Sequence, residues 1–391
     1  MIKLSRASLS VVLLALLLVA PTSAITTRAP EGPVRPQLPA AELLNSGQLI
    51  NGDFDQLAFY PRPTNHYVAG MWFEWWGNFL TIPEFIDGGV PHHNICYPVP
   101  ADGICHNKAT GVYNSSQGYI RYGATYIAGI YQPVYGVTPC TLYTFEIYNR
   151  NDAWNYRPKV GIDPTGWQLT VPGNSPPNNC PPDGKSPCPD PYVGAFPATM
   201  RWSQEYNHPP YTWAPLSVTV EAAATTISVW TYSAPEVAGS QSTYWDAGTL
   251  TQVPFPDGKL PAPSTWTPSG FIYDVVTTKG ANSLTINWKT TGPASTQVLY
   301  EIVPYVYTPP VSSTLLIGNT IYLPLVAKAP NPSQFTQYTT LNTTPVTTHS
   351  AVITGIQPGD TVIFTPLSRR PRNAVCTTET YTPMVVKFDI P

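Results

Sequence analysis

The stretch Tyr122–Gly166, YGATYIAGIYQPVYGVTPCTLYTFEIYNRNDAWNYRPKVGIDPTG, constrains this chain more than any other. Around Ile130 the residues alternate in type and are mostly aromatic or β-branched, as a half-buried strand requires. Thr138-Pro139 supplies turn chemistry, and Thr141–Tyr148 resumes the strand composition before a polar loop leads into Val160–Gly166. If this pair lies in the middle of a β-sandwich, the flanking segments must supply the outer strands and loops. They do: no strong helical period occurs outside the N-terminal apolar run, and the expected fold is all-β.

Composition narrows the setting. Charged residues make up 11% of the 391, against roughly a quarter in an ordinary soluble domain, while there are 46 prolines and 24 tyrosines. This is how extracellular all-β proteins look, and it differs from the charge-rich profile of disorder. The net charge is −3 with no Lys/Arg block, so phosphate neutralisation is unsupported and nucleic-acid binding is set aside.

Lys3 and Arg6, the apolar run Leu9–Ala20 and the small residues Thr22-Ser23-Ala24 read as a secretory signal over 1–24. A proline-rich leader follows over 25–40. No later segment is long and apolar enough to span a bilayer, so the mature chain is expected outside the cell with no membrane insertion. Six cysteines in an exported chain suggest disulfides. Local pairing of Cys96 with Cys105 and of Cys180 with Cys188 is the simplest scheme. Cys140 and Cys376 are then either free thiols or a bridge between two domains.

Strand patterns divide the remainder into a first domain over 41–254, a stiff proline-rich linker over 255–269 and a second domain over 270–391. In the second, Asn282–Thr290 alternates strictly, with Leu284, Ile286 and Trp288 on one face. Gln297–Val303 is another strand, and an irregular insertion occupies about 304–338. About seven short strands give an immunoglobulin-like count.

Several motifs of the first domain occur in one order: Asn51-Gly52-Asp53-Phe54-Asp55, Trp72 with Trp75-Trp76, Pro83-Glu84-Phe85, Ala128–Gln132, Val160–Gly166, Arg201-Trp202-Ser203, Leu216–Thr219 and Tyr244-Trp245-Asp246. In that order they resemble the jelly-roll modules of the galactose-binding-like and carbohydrate-binding-module superfamily found in secreted bacterial proteins. Leu284–Trp288, Ala294–Val298 and His349–Gly359 make residues 270–390 similar to a fibronectin type III domain, in the flavour of the one preceding the catalytic domain of purple acid phosphatases. The insertion departs from that pattern.

The jelly-roll resemblance implies a structural calcium between first and last strands, at Asp55 and Asp246. The family often has a second acid after the closing one, where this chain has Ala247. A hard cation of this kind needs several carboxylate and carbonyl oxygens. It also implies glycan capture by aromatic faces beside amides and acids. The aromatic pool is Trp72, Trp75, Trp76, Tyr122, Tyr126, Trp202, Tyr206 and Trp213, with Glu84, Gln132 and Asp163 as polar partners. The same rings would also fill a sandwich core. Trp75 and Trp76 are adjacent, so on a strand one faces inward and the other outward.

His92, His93, Cys96, Cys105 and His106 admit a zinc reading, but a Cys96–Cys105 disulfide would remove both thiolates. No nucleophile elbow, zinc-protease helix or phosphate loop is present. Glu74, Glu84, Glu146, Asp163 and Glu205 are available as glycosidase acids, yet nothing singles out a pair. The expectation is therefore a secreted, non-catalytic protein that holds a polysaccharide or cell-surface glycan. The alternatives are a structural or adhesive envelope protein acting by protein contact and, more remotely, a glycan or phosphoester hydrolase.

Overall fold

The computed structural model describes residues 47–50, 52, 54, 72–77, 92–96, 116–122, 126–168, 192–193, 195–236, 240–305 and 335–390. The signal, the leader, Asp55, Glu84, Cys105, His106, Cys180 and Cys188 lie outside the described residues. So do the side chains of Glu74, Trp76, His92, His93, Cys96 and Tyr122, whose strands are described.

The described elements are strands, apart from one 3-10 turn at Pro256–Gly258. The all-β expectation holds. In the first sandwich they run β1 (Phe73–Gly77), β2 (His92–Cys96), β3 (Ser116–Tyr122), β4 (Ala128–Tyr135), β5 (Leu142–Asn151), β6 (Lys159–Asp163), β7 (Tyr192–Val193), β8 (Arg201–Trp202), β9 (Ala214–Glu221), β10 (Thr226–Tyr232) and β11 (Ser240–Val253). One sheet has the order β7-β1-β4-β10-β6-β8 and the other β2-β3-β11-β5-β9, so the chain crosses repeatedly between layers, as a jelly-roll sandwich does.

Period-two alternation decides which side chains meet between the sheets. Along β5, Tyr143, Phe145 and Ile147 point inward. They meet Ile130 and Val134 of β4, Val160 and Ile162 of β6, and Ile227 and Val229 of β10, with Trp245 of β11 in the same core. Each such burial contributes about 1.5–3 kcal/mol. Because Val160 and Ile162 face inward, Lys159, Gly161 and Asp163 lie on the outer side of the six-stranded sheet.

The second sandwich holds β12 (Ile272–Lys279), β13 (Ser283–Val303), β14 (Gln337–Tyr338), β15 (Asn342–Thr354), β16 (Thr361–Arg372), β17 (Val375–Thr380) and β18 (Met384–Lys387). The two strands expected over 282–290 and 297–303 are one continuous strand, β13. Its first half pairs β12 and β15 and its second half β14 and β16, with a register shift between Lys289 and Ala294. Leu284, Ile286 and Trp288 face the core as the alternation predicts, against Val298, Ile353 and Phe364.

The proline-rich segment between the sandwiches is packed, where a spacer was expected. Phe255 and Leu260 are buried with Leu299, Phe335 and Leu367. The Leu260 N–H donates to Gln297 Oε1, and Gln297 Nε2 donates to the Gly258 and Thr339 carbonyls. Two apolar residues among the prolines suffice to seat it. A Cys140–Cys376 disulfide, Cα–Cα 5.5 Å, settles the open alternative in favour of a bridge. Beside it the Arg369 guanidinium donates through two nitrogens to the Glu221 carboxylate across the junction.

Candidate functional site

The outer face of the six-stranded sheet carries a second apolar layer, separate from the core. Tyr131 and Trp230 are cross-strand partners and stack at 4.2 Å with an interplanar angle of 9°. Trp75 packs beside them, its Nε1–H donating to the Thr231 carbonyl at 3.1 Å. Trp167, Phe196, Trp202 and Tyr232 cover this layer and remain half-buried. Trp202 can lie on the sheet only because its partner is Gly161: a Cβ there would come within 2.6 Å of the indole ring.

Asp163 sits at the end of this face, and its oxygens serve the fold. Oδ1 accepts from the Thr165 N–H (2.9 Å), the Thr165 hydroxyl (2.6 Å) and the Trp167 N–H (3.0 Å), while Oδ2 accepts from the Thr199 hydroxyl. This one carboxylate seats both Trp167 and the loop carrying Phe196.

The layer runs into a loop-end platform. Lys159 Nζ lies 4.2 Å from the Tyr232 ring centroid and 5.3 Å from that of Trp202, and 3.7 Å from Glu205 Oε1. Burial pulls the Lys159 ammonium below its usual pKa. Arg157 donates to both Glu205 oxygens, at 3.1 and 3.2 Å, and the pair holds the guanidinium above its usual value. Backbone bonds lace the two loops further: Tyr206 N–H to the Pro158 carbonyl, Arg157 N–H to Asn207 Oδ1, and Tyr211 N–H to the Asn151 carbonyl.

On these laced loops stand Trp154, Tyr206 and Tyr211, 58%, 51% and 64% exposed. They are the exposed large hydrophobic side chains among the described residues of the first sandwich. Asn155, Arg157 and Tyr211 all have positive φ (63°, 49° and 62°), a left-handed conformation uncommon without glycine and concentrated at functional sites. The Arg150 guanidinium lies 5.7 Å from the Tyr211 centroid and backs that ring.

His208, between Tyr206 and Tyr211, plugs the platform into the sandwich end. Asn149 Nδ2 donates to Thr243 Oγ1 (3.0 Å) and to the Tyr244 carbonyl (3.1 Å), which turns Asn149 Oδ1 toward His208 Nε2 at 2.9 Å. His208 Nδ1 is 3.0 Å from the Pro209 carbonyl. Burial of the ring pulls its pKa below the usual value, against the opposing pull of that carbonyl.

The structure scatters the sequence-derived pool. Trp72 is buried against Phe54 in the core, and Trp75 is buried in the outer layer. Tyr126 is buried to the point that its phenol pKa is raised well above normal. Gln132 is also buried: its carboxamide accepts from the Ile50 N–H and donates to the Ile50 carbonyl, both at 2.8 Å, and so pins the incoming chain. These residues and Asp163 are engaged inside the fold, whereas Trp202, Tyr206 and Trp213 reach the surface. Trp154 and Tyr211, exposed beside Tyr206, were not in that pool. Their signal was there to read: aromatic rings inside Asp152-Ala153-Trp154-Asn155 and Pro209-Pro210-Tyr211, where no strand offers a core.

The turn residue Gly52 meets the bulge of β11. The Gly248 N–H donates to the Gly52 carbonyl at 2.7 Å, and a Cβ on Gly52 would fall 2.2 Å from the Gly248 carbonyl oxygen. Ala247, at φ 54°, turns the β11 bulge there, and its N–H donates to the buried Asp246 carboxylate.

No family model and no curated protein matches the chain. Solved structures similar to it include the enzymatically active domain of bacteriophage CBA120 tailspike protein 4 (9% identity, TM-score 0.29), with 52% of this chain covered but only 21% of the tailspike. Another is the carbohydrate-binding module TmCBM61 in complex with β-1,4-galactotriose (10%, 0.29; 52% of this chain, 97% of the module). A third is the N-terminal CBM22-1–CBM22-2 tandem of Paenibacillus barcinonensis Xyn10C (10%, 0.25; 78% and 86%). At such identities and TM-scores these likenesses assign no family.

Proposed function

We propose that this chain is a secreted, non-catalytic glycan-binding protein whose ligand site is the loop-end platform of the first sandwich. The observation that carries the reading is the platform itself. Three exposed rings stand on two loops that are cross-braced by a bidentate Arg–Glu pair and held in left-handed backbone. Sugar rings offer apolar C–H faces and hydroxyl edges; aromatic faces meet the former, and Asn207, Gln204 and Glu205 beside them meet the latter. The half-buried edges of Trp202 and Tyr232 continue the surface past Lys159.

The non-catalytic part rests on the acids. Asp163 is capped by internal donors and Glu205 is held by two cations, so neither is poised as a general acid or a nucleophile. In the same reading a structural calcium, which the jelly-roll resemblance implies, draws on Asp246 and Asp55. Asp246 is fully buried and accepts from the Ala247 N–H, so a cation there would add to partners the carboxylate already has. Chelation is expected to lower the melting temperature, and calcium to restore it; a temperature unmoved by either removes the metal. The second sandwich, in the fibronectin type III-like role, then serves as a rigid neighbour. Its exposed Val276 and Val352 favour protein contact as the second reading.

A glycan array probed with the purified chain tests the main proposal. Binding to at least one polysaccharide without release of reducing sugar is expected. Turnover, or no binding anywhere on the array, contradicts it.

A further inference from the structure

A cleft of about 700 Å³ opens where the linker passes between the two sandwiches. That is the size of a small-molecule site. Its walls come from Thr141, Gln252 and Val253 of the first sandwich, the turn Pro254–Lys259, and the 336–343 segment of the second. We propose that this cleft is a second ligand site, for an uncharged saccharide of one or two rings. The inference rests on the glycan-binding reading above and places a site where that reading does not.

Three observations support it. The first is the lining: threonine hydroxyls at 141, 336, 340 and 343 and the Gln252 carboxamide alternate with Val253, Phe255, Tyr338 and Leu341. That mixture matches a sugar's hydroxyl edge and apolar face, and a purely apolar ligand would leave the hydroxyls unpaired.

The second is charge. Asp257 and Lys259 line the same cleft, and among the described residues neither forms an ion pair with the other or with anything else. Lys259 Nζ is held 4.9 Å from the Tyr338 ring centroid instead. One acceptor-only group and one donor-only group of opposite sign leave the lining neutral, so both are free to hold hydroxyls of an uncharged ligand.

The third is a buried polar atom. Thr141 is a lining residue, and its hydroxyl is buried with no hydrogen-bond partner among the described residues. Orphaned hydroxyls are rare in folded proteins and mark places where something else completes the bonding. The turn that carries Asp257 is itself in left-handed backbone, at φ 55°, followed by Gly258 at φ 64°. The disulfide anchors the chain beside Thr141, and the Gln297 carboxamide ties the Gly258 turn to Thr339, so the walls are braced before any ligand arrives.

Saturation-transfer NMR on the full chain tests this, with cellobiose, lactose and N,N′-diacetylchitobiose as probes. The background is a variant in which Trp154, Tyr206 and Tyr211 are all alanine, which silences the platform. A residual saccharide signal is expected there, and Lys259→Ala is expected to weaken it roughly tenfold. Thr340→Arg, an exposed substitution at the cleft mouth, is expected to abolish it. Residual binding unaffected by both substitutions overturns the cleft, and so does the absence of any residual signal. Full binding in the alanine background that both cleft substitutions remove would sink the platform and leave the cleft standing.

Discussion

Gly161 and Trp202 show how single residues build the outer aromatic layer. Gly161→Ala places a methyl group against the indole, so Trp202 must lift and expose Tyr232 and Phe196. A loss of about 1–3 kcal/mol is expected, the usual cost of overpacking, with a red-shifted tryptophan emission; an unshifted emission and unchanged melting would show that the ring is not seated there. In the second sandwich, His349 is stacked on Trp288 at 5.1 Å, with Thr290 and Thr296 hydroxyls at its two nitrogens. Burial pulls its pKa from 6.5 to about 4. A histidine that binds its proton more weakly when folded contributes stability above pH 6.5 and loses it progressively as the pH falls toward 4. Calorimetry between pH 7 and 4 is expected to show a falling midpoint, amounting to about 2 kcal/mol after allowance for partial solvent screening. A His349→Gln variant should have a flatter slope.

At the scale of elements, the segment 203–213 carries two of the rings of the proposed platform, and His208 is its peg. Its pKa is also lowered by burial, so the stability it contributes is present above the ordinary histidine value of about 6.5 and falls as the pH drops below it. Amide exchange in 203–213 is therefore expected to accelerate between pH 7 and 5, with glycan affinity falling alongside. Exchange that ignores pH would detach His208 from the platform. Here the sequence was legible only in part. Strand composition marked β5, β9 and β10, and strict alternation marked the first half of β13, where a buried face and a wet face leave opposite residues in turn. It misled at Trp75, because the outward side of the six-stranded sheet is itself covered by Phe196 and Trp202 on a non-adjacent loop, so outward did not mean exposed. It failed at Gln132 and Asp163 for a related reason: a polar residue on a strand reads the same whether it meets a ligand or pins the chain's own backbone. Tyr206 stood in the expected pool; Trp154 and Tyr211 lay in segments without period, where only their lack of a core marked them.

For the whole molecule, a disulfide and a half-buried ion pair join two sandwiches whose prolines suggested a spacer between them. Cys140 and Cys376 are 236 residues apart, so the cross-link closes a very long loop in the unfolded chain. Replacing both with serine is expected to cost about 2–5 kcal/mol of unfolding free energy and to separate one melting transition into two; a single unchanged transition would mean that the junction holds without it. Ligand capture by the platform is the central claim. The most direct test is the affinity of the wild-type chain and of its Trp154→Ala/Tyr206→Ala/Tyr211→Ala variant for the polysaccharide that the array identifies. All three rings are exposed, so the variant should melt with the parent and bind at least a hundredfold more weakly, on the order of 3 kcal/mol. Equal affinity in parent and variant would contradict the account.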